Sequence, residues 1–196
     1  MNLFLLNTNR FTEIIESAAK QSASALQELI NQPVNLSFSQ VKIIKTAKDA
    51  EVLDTLIENP GVVVKLNYQG ELIGTAILIL WNGHEKKLAQ SLIDEHIPTS
   101  DNEEALEVVF YEIGNVLLNI YVGTIANQLN AKVEYNIPQV IINQDKKVWA
   151  KELITREIPP QELLFLKSAL SIGELEITAF IIILIDYSAE VADKLC

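Results

Sequence analysis

The chain has 196 residues, 49% of them hydrophobic and 21% charged. That supports a buried core in one compact domain or two small units sharing a core, and argues against a wholly disordered polymer. The formal net charge is −11, from 26 acidic and 15 basic residues, which disfavours nucleic-acid phosphates and anionic membrane surfaces and suits a basic protein face.

The elements follow in chain order. Met1 to Asn7 has no basic leader and only a short apolar part, unlike a signal peptide. From about Phe11 to Asn31, Ile14, Ile15, Ala18, Ala19, Ser22, Ala25, Leu26, Leu29 and Ile30 recur at helical spacing, with Thr8 or Asn9 as cap and Pro33 as stop. Val34, Leu36 and Phe38 alternate with polar residues and predict a strand. Ala47 to Glu58 reads as a helix ended by Asn59-Pro60-Gly61. Val62–Tyr68 and Leu72–Trp81 predict a hairpin about a tight Gln69-Gly70 turn, and Asn82-Gly83 closes it. Glu85 to Ile97 is helical again, and the polar stretch Pro98 to Asn102 marks a midpoint boundary.

The same order then returns. Glu103 to Leu129 predicts a long helix, Lys132 to Ile142 a strand, and Lys146 to Arg156 a short helix before Pro159-Pro160. Leu163–Ile172 and Leu175–Ile185 predict a second hairpin about Gly173-Glu174, and Ser188–Leu195 a last helix. The longest strongly apolar stretch, Ile177 to Ile185, has nine residues, against roughly 20 for a membrane span. The lone Cys196 allows no intrachain disulfide. Together these suggest a cytoplasmic protein in a reducing compartment, with no membrane insertion.

The return has an arithmetic signature. Glu13 lies 99 residues before Glu112, and Ser39 lies 99 before Pro138. Gly70-Glu71 lies 103 before Gly173-Glu174, and Thr75-Ala76 lies 103 before Thr178-Ala179. We read two diverged α-β-α-β-β-α repeats, residues 1–98 and 99–196, in a single domain. The predicted fold is α/β (α+β): an antiparallel or mixed sheet of mostly apolar strands, with the two long helices together on its surface.

The second long helix contains Glu112-Ile113-Gly114-Asn115, with 22 residues between Asn115 and Pro138. This stretch, set in a duplicated chain, resembles the signature of the CheC, CheX and FliY chemotaxis phosphatases, and the two-repeat form is similar to CheC. The resemblance implies a phosphatase acting on the phosphorylated receiver domain of a CheY-type response regulator. Residues three apart share a helix face. On that resemblance, the Glu112 carboxylate pairs with a partner lysine, and the Asn115 carboxamide holds a water against the phosphorus. Pro138 is the supporting third member. Mg²⁺ would come from the receiver, with no cofactor of the chain's own.

Two departures stand out. The Asp or Ser that the family pattern places four residues before the glutamate is Val108 here. Glu107 beside it points elsewhere, because a helix turns about 100° per residue. In the first repeat only Glu13 survives: Glu16 takes the asparagine position and Ser39 the proline position. A carboxylate at 16 would repel a phosphoryl group, so the first site is degenerate. The helix glycines common in CheC are replaced by Ser17, Ala18 and Lys20.

Nothing else in the sequence assembles a site. His84 and His96 lack accompanying ligands at metal spacing, and there is no phosphate-binding glycine loop. Trp81 and Trp149 read as core or rim aromatics, Asn119 as a helix-surface amide, and the acidic residues Asp101, Glu103, Glu104 and Glu107 as favourable charge at a helix start. Two readings therefore stand: the phosphatase, and a catalytically inactive CheC-like binding module or homodimeric scaffold. The resemblance also admits a CheD-like regulator.

Overall fold

A computed structural model describes residues 8–44, 60–92, 103–142, 163–173 and 177–186. Helix α1 (Thr8–Ile30) and helix α3 (Glu103–Gln128) are the long helices, and α2 (His84–Leu92) is short. The strands are β1 (Val34–Ile44), β2 (Pro60–Gly70), β3 (Gly74–Trp81), β4 (Val133–Tyr135), β5 (Gln139–Ile142), β6 (Leu163–Ile172) and β7 (Ile177–Asp186). The segments 47–58, 98–102, 146–156 and 188–195, together with Glu174, His96, Trp149 and Cys196, lie outside the described residues.

The seven strands form one antiparallel sheet in the order β1-β6-β7-β3-β2-β4, with β5 also paired to β2. Each strand that follows a long helix pairs with the hairpin of the other half: β1 lies along β6, and β4 and β5 lie along β2. The hairpins meet where β3 pairs with β7.

Alternation along the strands fills both faces. Val62, Val64, Leu66 and Tyr68 of β2, Leu78 of β3, Leu166 of β6 and Ile181 of β7 belong to the core beneath α1 and α3. Val63, Ile77, Ile79, Phe165, Ile182 and Leu184 alternate with them and are also buried, which is why these strands read as continuous apolar runs. Each fully buried aliphatic or aromatic side chain contributes roughly 1.5–3 kcal/mol.

Helices α1 and α3 pack against each other and over one sheet face. From α1 the core takes Ile14, Ile15, Ala18, Ala19, Leu26 and Ile30; Leu29, expected on the apolar stripe, is exposed. The helix starts at Thr8, so Asn9 lies within its first turn rather than capping it. By length and composition α3 is apolar enough to cross a membrane, contrary to the expectation that no such stretch exists. Phe110, Leu117, Leu118 and Tyr121 of this helix are buried in the protein core.

The connections differ from the sequence reading in two places. The last β2–β3 pair is Tyr68 with Gly74, but Gln69 and Gly70 continue β2, paired with Glu134 and Val133 of β4, so the loop is residues 71–73 rather than a tight turn at Gln69-Gly70. Leu72 is buried within that loop. Among the described residues the last β6–β7 pair is Ile172 with Ile177. The strand expected over 132–142 is broken at Asn136–Pro138 into β4 and β5. A proline lacks the N–H that a ladder position requires. In β1 the ladder with β6 shifts register between Phe38 and Gln40, a bulge at Ser39.

Candidate functional site

Helix α3 carries the candidate residues on the side turned away from the sheet. Glu103 and Glu104 in its first turn complement the positive end of the helix dipole. Leu106, Phe110, Ile113, Leu117 and Tyr121 anchor the opposite side. Gly114 lies directly against Val64 of β2: a Cβ there would collide with Val64 Cγ1. The glycine lets the helix backbone settle on the strand between the two candidate polar residues.

Glu112 is exposed and Asn115 is half-buried one turn further on. Val108, one turn before Glu112, is 65% exposed, leaving an apolar side chain at the surface where the family pattern has a polar one. Asn115 does not stand alone. Asn119 Nδ2 donates a hydrogen bond to Asn115 Oδ1 at 2.7 Å. The Tyr135 hydroxyl lies over the next turn, 3.5 Å from the Asn119 carbonyl oxygen. Burial pushes the Tyr135 phenol above its ordinary pKa.

Pro138 is buried at the break between β4 and β5, beside α3. Ile137 before it is 77% exposed. Immediately after the break, Gln139 pairs with Lys65 and Val140 with Val64, the strand residue that Gly114 touches. The proline break and the helix glycine thus converge on one strand beneath the Glu112–Asn115 turn.

On α1, Glu13 and Glu16 are both exposed. Ser39 sits in the β1 bulge, and its hydroxyl donates to the Lys167 carbonyl at 3.0 Å. Glu16 therefore stands where α3 has Asn115, and Ser39 where the second half has Pro138. Among the described residues no group of three His, Cys, Asp or Glu side chains is placed to hold a metal ion. His84 is the first residue of α2. Trp81 is a rim aromatic, 40% exposed, with its ring 5.9 Å from Phe180. Lys167 lies over that Phe180 ring at 3.9 Å, and burial lowers its pKa.

The Asn115–Asn119 bond was missed in the sequence, although the four-residue spacing of two amides on one helix was there to be read.

No protein-family model matches the sequence. Solved structures share the fold over almost the whole chain. Thermotoga maritima FliY is 15% identical, with a TM-score of 0.71, covering 100% of this chain and 95% of that one. The CheX-CheY-BeF3-Mg²⁺ complex from Borrelia burgdorferi is 18% identical, with a TM-score of 0.58, covering 90% of this chain and 98% of that one. A CheC-like superfamily protein from Shewanella sp. PV-4 is 12% identical, with a TM-score of 0.57, covering 95% of this chain and 100% of that one. FliM middle domains and further CheX proteins align as well. The chain therefore has the CheC-like fold of the chemotaxis proteins CheX, FliY and the FliM middle domain.

Proposed function

We propose that this protein is a phosphatase for phosphorylated receiver domains of the CheY type, acting through Glu112 and Asn115 on α3. The observation that carries this reading is the presentation of those two side chains. Glu112 is exposed and Asn115 accessible on consecutive turns of the outer side of α3. A related fold, CheX, occurs in complex with CheY, BeF3 and Mg²⁺, where BeF3 stands in for a phosphoryl group on the receiver.

The chemistry follows from what the side chains can do. The Glu112 carboxylate docks on a cationic side chain of the receiver, such as a lysine. The Asn115 carboxamide offers both a donor and an acceptor to one water. That water's oxygen forms a bond to phosphorus while the bond between phosphorus and the receiver aspartate oxygen breaks. The aspartate leaves as a carboxylate, and the water's proton goes to the phosphate product. Phosphoryl transfer depends mainly on positioning and charge stabilisation, so an anchor and an orienting amide suffice on this side. Mg²⁺ belongs to the receiver in this scheme. The reaction would take place in the cytoplasm, where receiver domains work.

We also infer that the chain is two diverged copies of one unit, 1–98 and 99–196, with the first site lost at Glu16 and Ser39. The crossed pairing of β1 with β6 and of β4 and β5 with β2 supports this.

A second reading, a non-catalytic receiver-binding module, is favoured by Val108, whose exposed apolar side chain suits protein contact. The two readings separate experimentally. Binding of a beryllofluoride-loaded receiver is compared with decay of the phosphorylated receiver, in wild type and in a Glu112→Lys variant. A phosphatase accelerates decay, and Glu112→Lys raises KM by weakening docking. Binding without accelerated decay selects the module instead.

A further inference from the structure

We propose that Asn119 is a positioning residue for Asn115, holding its carboxamide in the orientation that presents it to the attacking water. This rests on the phosphatase reading above and adds a residue to it.

Asn119 lies four residues beyond Asn115 on α3, and its Nδ2 donates to Asn115 Oδ1 at 2.7 Å. An amide oxygen has two lone pairs, and this bond occupies one of them. The plane of the Asn115 carboxamide is then set by the helix rather than by solvent. Its Nδ2 and its remaining Oδ1 lone pair are left for a water or a phosphoryl oxygen. An unrestrained asparagine would rotate about its terminal torsion, whose preferences are broad.

The second observation is what Asn119 gives up. Its own Oδ1 is buried and has no hydrogen-bond partner among the described residues. Burying an acceptor without a donor is unfavourable, so the side chain is a poor choice for stability alone. An apolar residue at 119 would avoid that penalty. The one side-chain hydrogen bond that Asn119 makes among the described residues is thus the one to Asn115.

The surroundings keep Asn119 in place. The Tyr135 hydroxyl reaches over this turn, 3.5 Å from the Asn119 carbonyl oxygen. It is also close to Gly123, where a Cβ would stand 3.0 Å from it.

The test uses the full chain in four forms: wild type, Asn115→Ala, Asn119→Ala and the double variant. Each is assayed for decay of a receiver domain phosphorylated with acetyl phosphate, for kcat and KM separately, and for melting temperature. The expected result for Asn119→Ala is a kcat lower by about ten- to a hundredfold and a KM within about twofold of wild type. Its melting temperature is unchanged or raised. The double variant is no slower than Asn115→Ala alone, because the two residues act as one unit. A purely structural asparagine would instead lower the melting temperature and leave kcat intact. If Asn115→Ala abolishes the acceleration while Asn119→Ala keeps the wild-type kcat, the positioning role is overturned and the phosphatase reading stands. If wild type itself gives no acceleration, both fall.

Discussion

Asn31 and Asn130 end the two long helices in the same left-handed turn, each with φ of 51°, and they stand 99 residues apart. That is the spacing that relates Glu13 to Glu112 and Ser39 to Pro138. A second pair of contacts repeats it. The Glu71 N–H donates to the Lys132 carbonyl and the Gly173 N–H to the Pro33 carbonyl, both at 2.9 Å. Pro33 and Lys132 are again 99 apart, while Glu71 and Gly173 are 102 apart. By this hydrogen bond Gly173 corresponds to Glu71, one residue away from the Gly70 match suggested by sequence. The pattern supports the proposed duplication with its hairpins slipped in register.

The left-handed caps make a paired prediction. A residue with a Cβ costs roughly 1–2 kcal/mol in this conformation, asparagine less and glycine least. Asn130→Ala and Asn31→Ala should each destabilise by about 1 kcal/mol, and the glycine variants should be neutral or stabilising. Denaturant midpoints at constant slope measure this.

The crossed strand pairing predicts that neither half folds alone. Residues 1–98 contain β2 without β4 and β5, and β1 without β6. Each half should be unfolded as an isolated monomer by near-ultraviolet circular dichroism and hydrogen exchange. Mixing equimolar 1–98 and 99–196 should restore the native signal. A folded monomeric half would contradict the shared core.

Gly114 tests how α3 is seated. Gly114→Ala drives a Cβ into Val64 Cγ1, an overpacking cost of roughly 1–3 kcal/mol. Better helix propensity returns up to about 1 kcal/mol. The net effect should be destabilising, and Val64→Ala should relieve it. A double-mutant cycle should give a coupling of at least about 0.5 kcal/mol.

Tyr121 predicts an alkaline limb of stability. Burial pushes its phenol up to about 12, with the Ser168 hydrogen bond a smaller opposing influence. The folded pKa exceeds the unfolded value near 10, so the protonated form favours the fold. The contribution is complete below about pH 10 and is lost as pH rises through about 12. Two units correspond to roughly 3 kcal/mol. Tyr121→Phe should flatten the curve between those pH values. It should cost about 1–3 kcal/mol at neutral pH, because the Ser168 hydroxyl, 2.7 Å from the phenol oxygen, loses its partner.

What was legible in the sequence follows from periodicity. Val34, Leu36 and Phe38 alternate, and Ile14 to Ile30 keep helical spacing, because each faces one core. The two long helices and the antiparallel hairpins could be read for that reason. The ends of the hairpins could not, because Leu72 is as apolar as a strand residue yet is buried in a loop. Pro138 was legible as a motif position but not as the break between β4 and β5, since the residues around it alternate like a strand. Glu112 and Asn115 stood out by spacing; the four-residue spacing of Asn119 from Asn115 was equally legible, but which amide donates to which depends on rotamers.

The decisive measurement for a phosphatase acting through Asn115 is the decay rate of a phosphorylated receiver domain from the same organism, with and without this protein, and with its Asn115→Ala variant. Decay should be faster with the wild-type chain and return to the intrinsic rate with Asn115→Ala, while receiver binding persists. Equal rates with wild type, variant and no added protein, for every receiver tried, would contradict it.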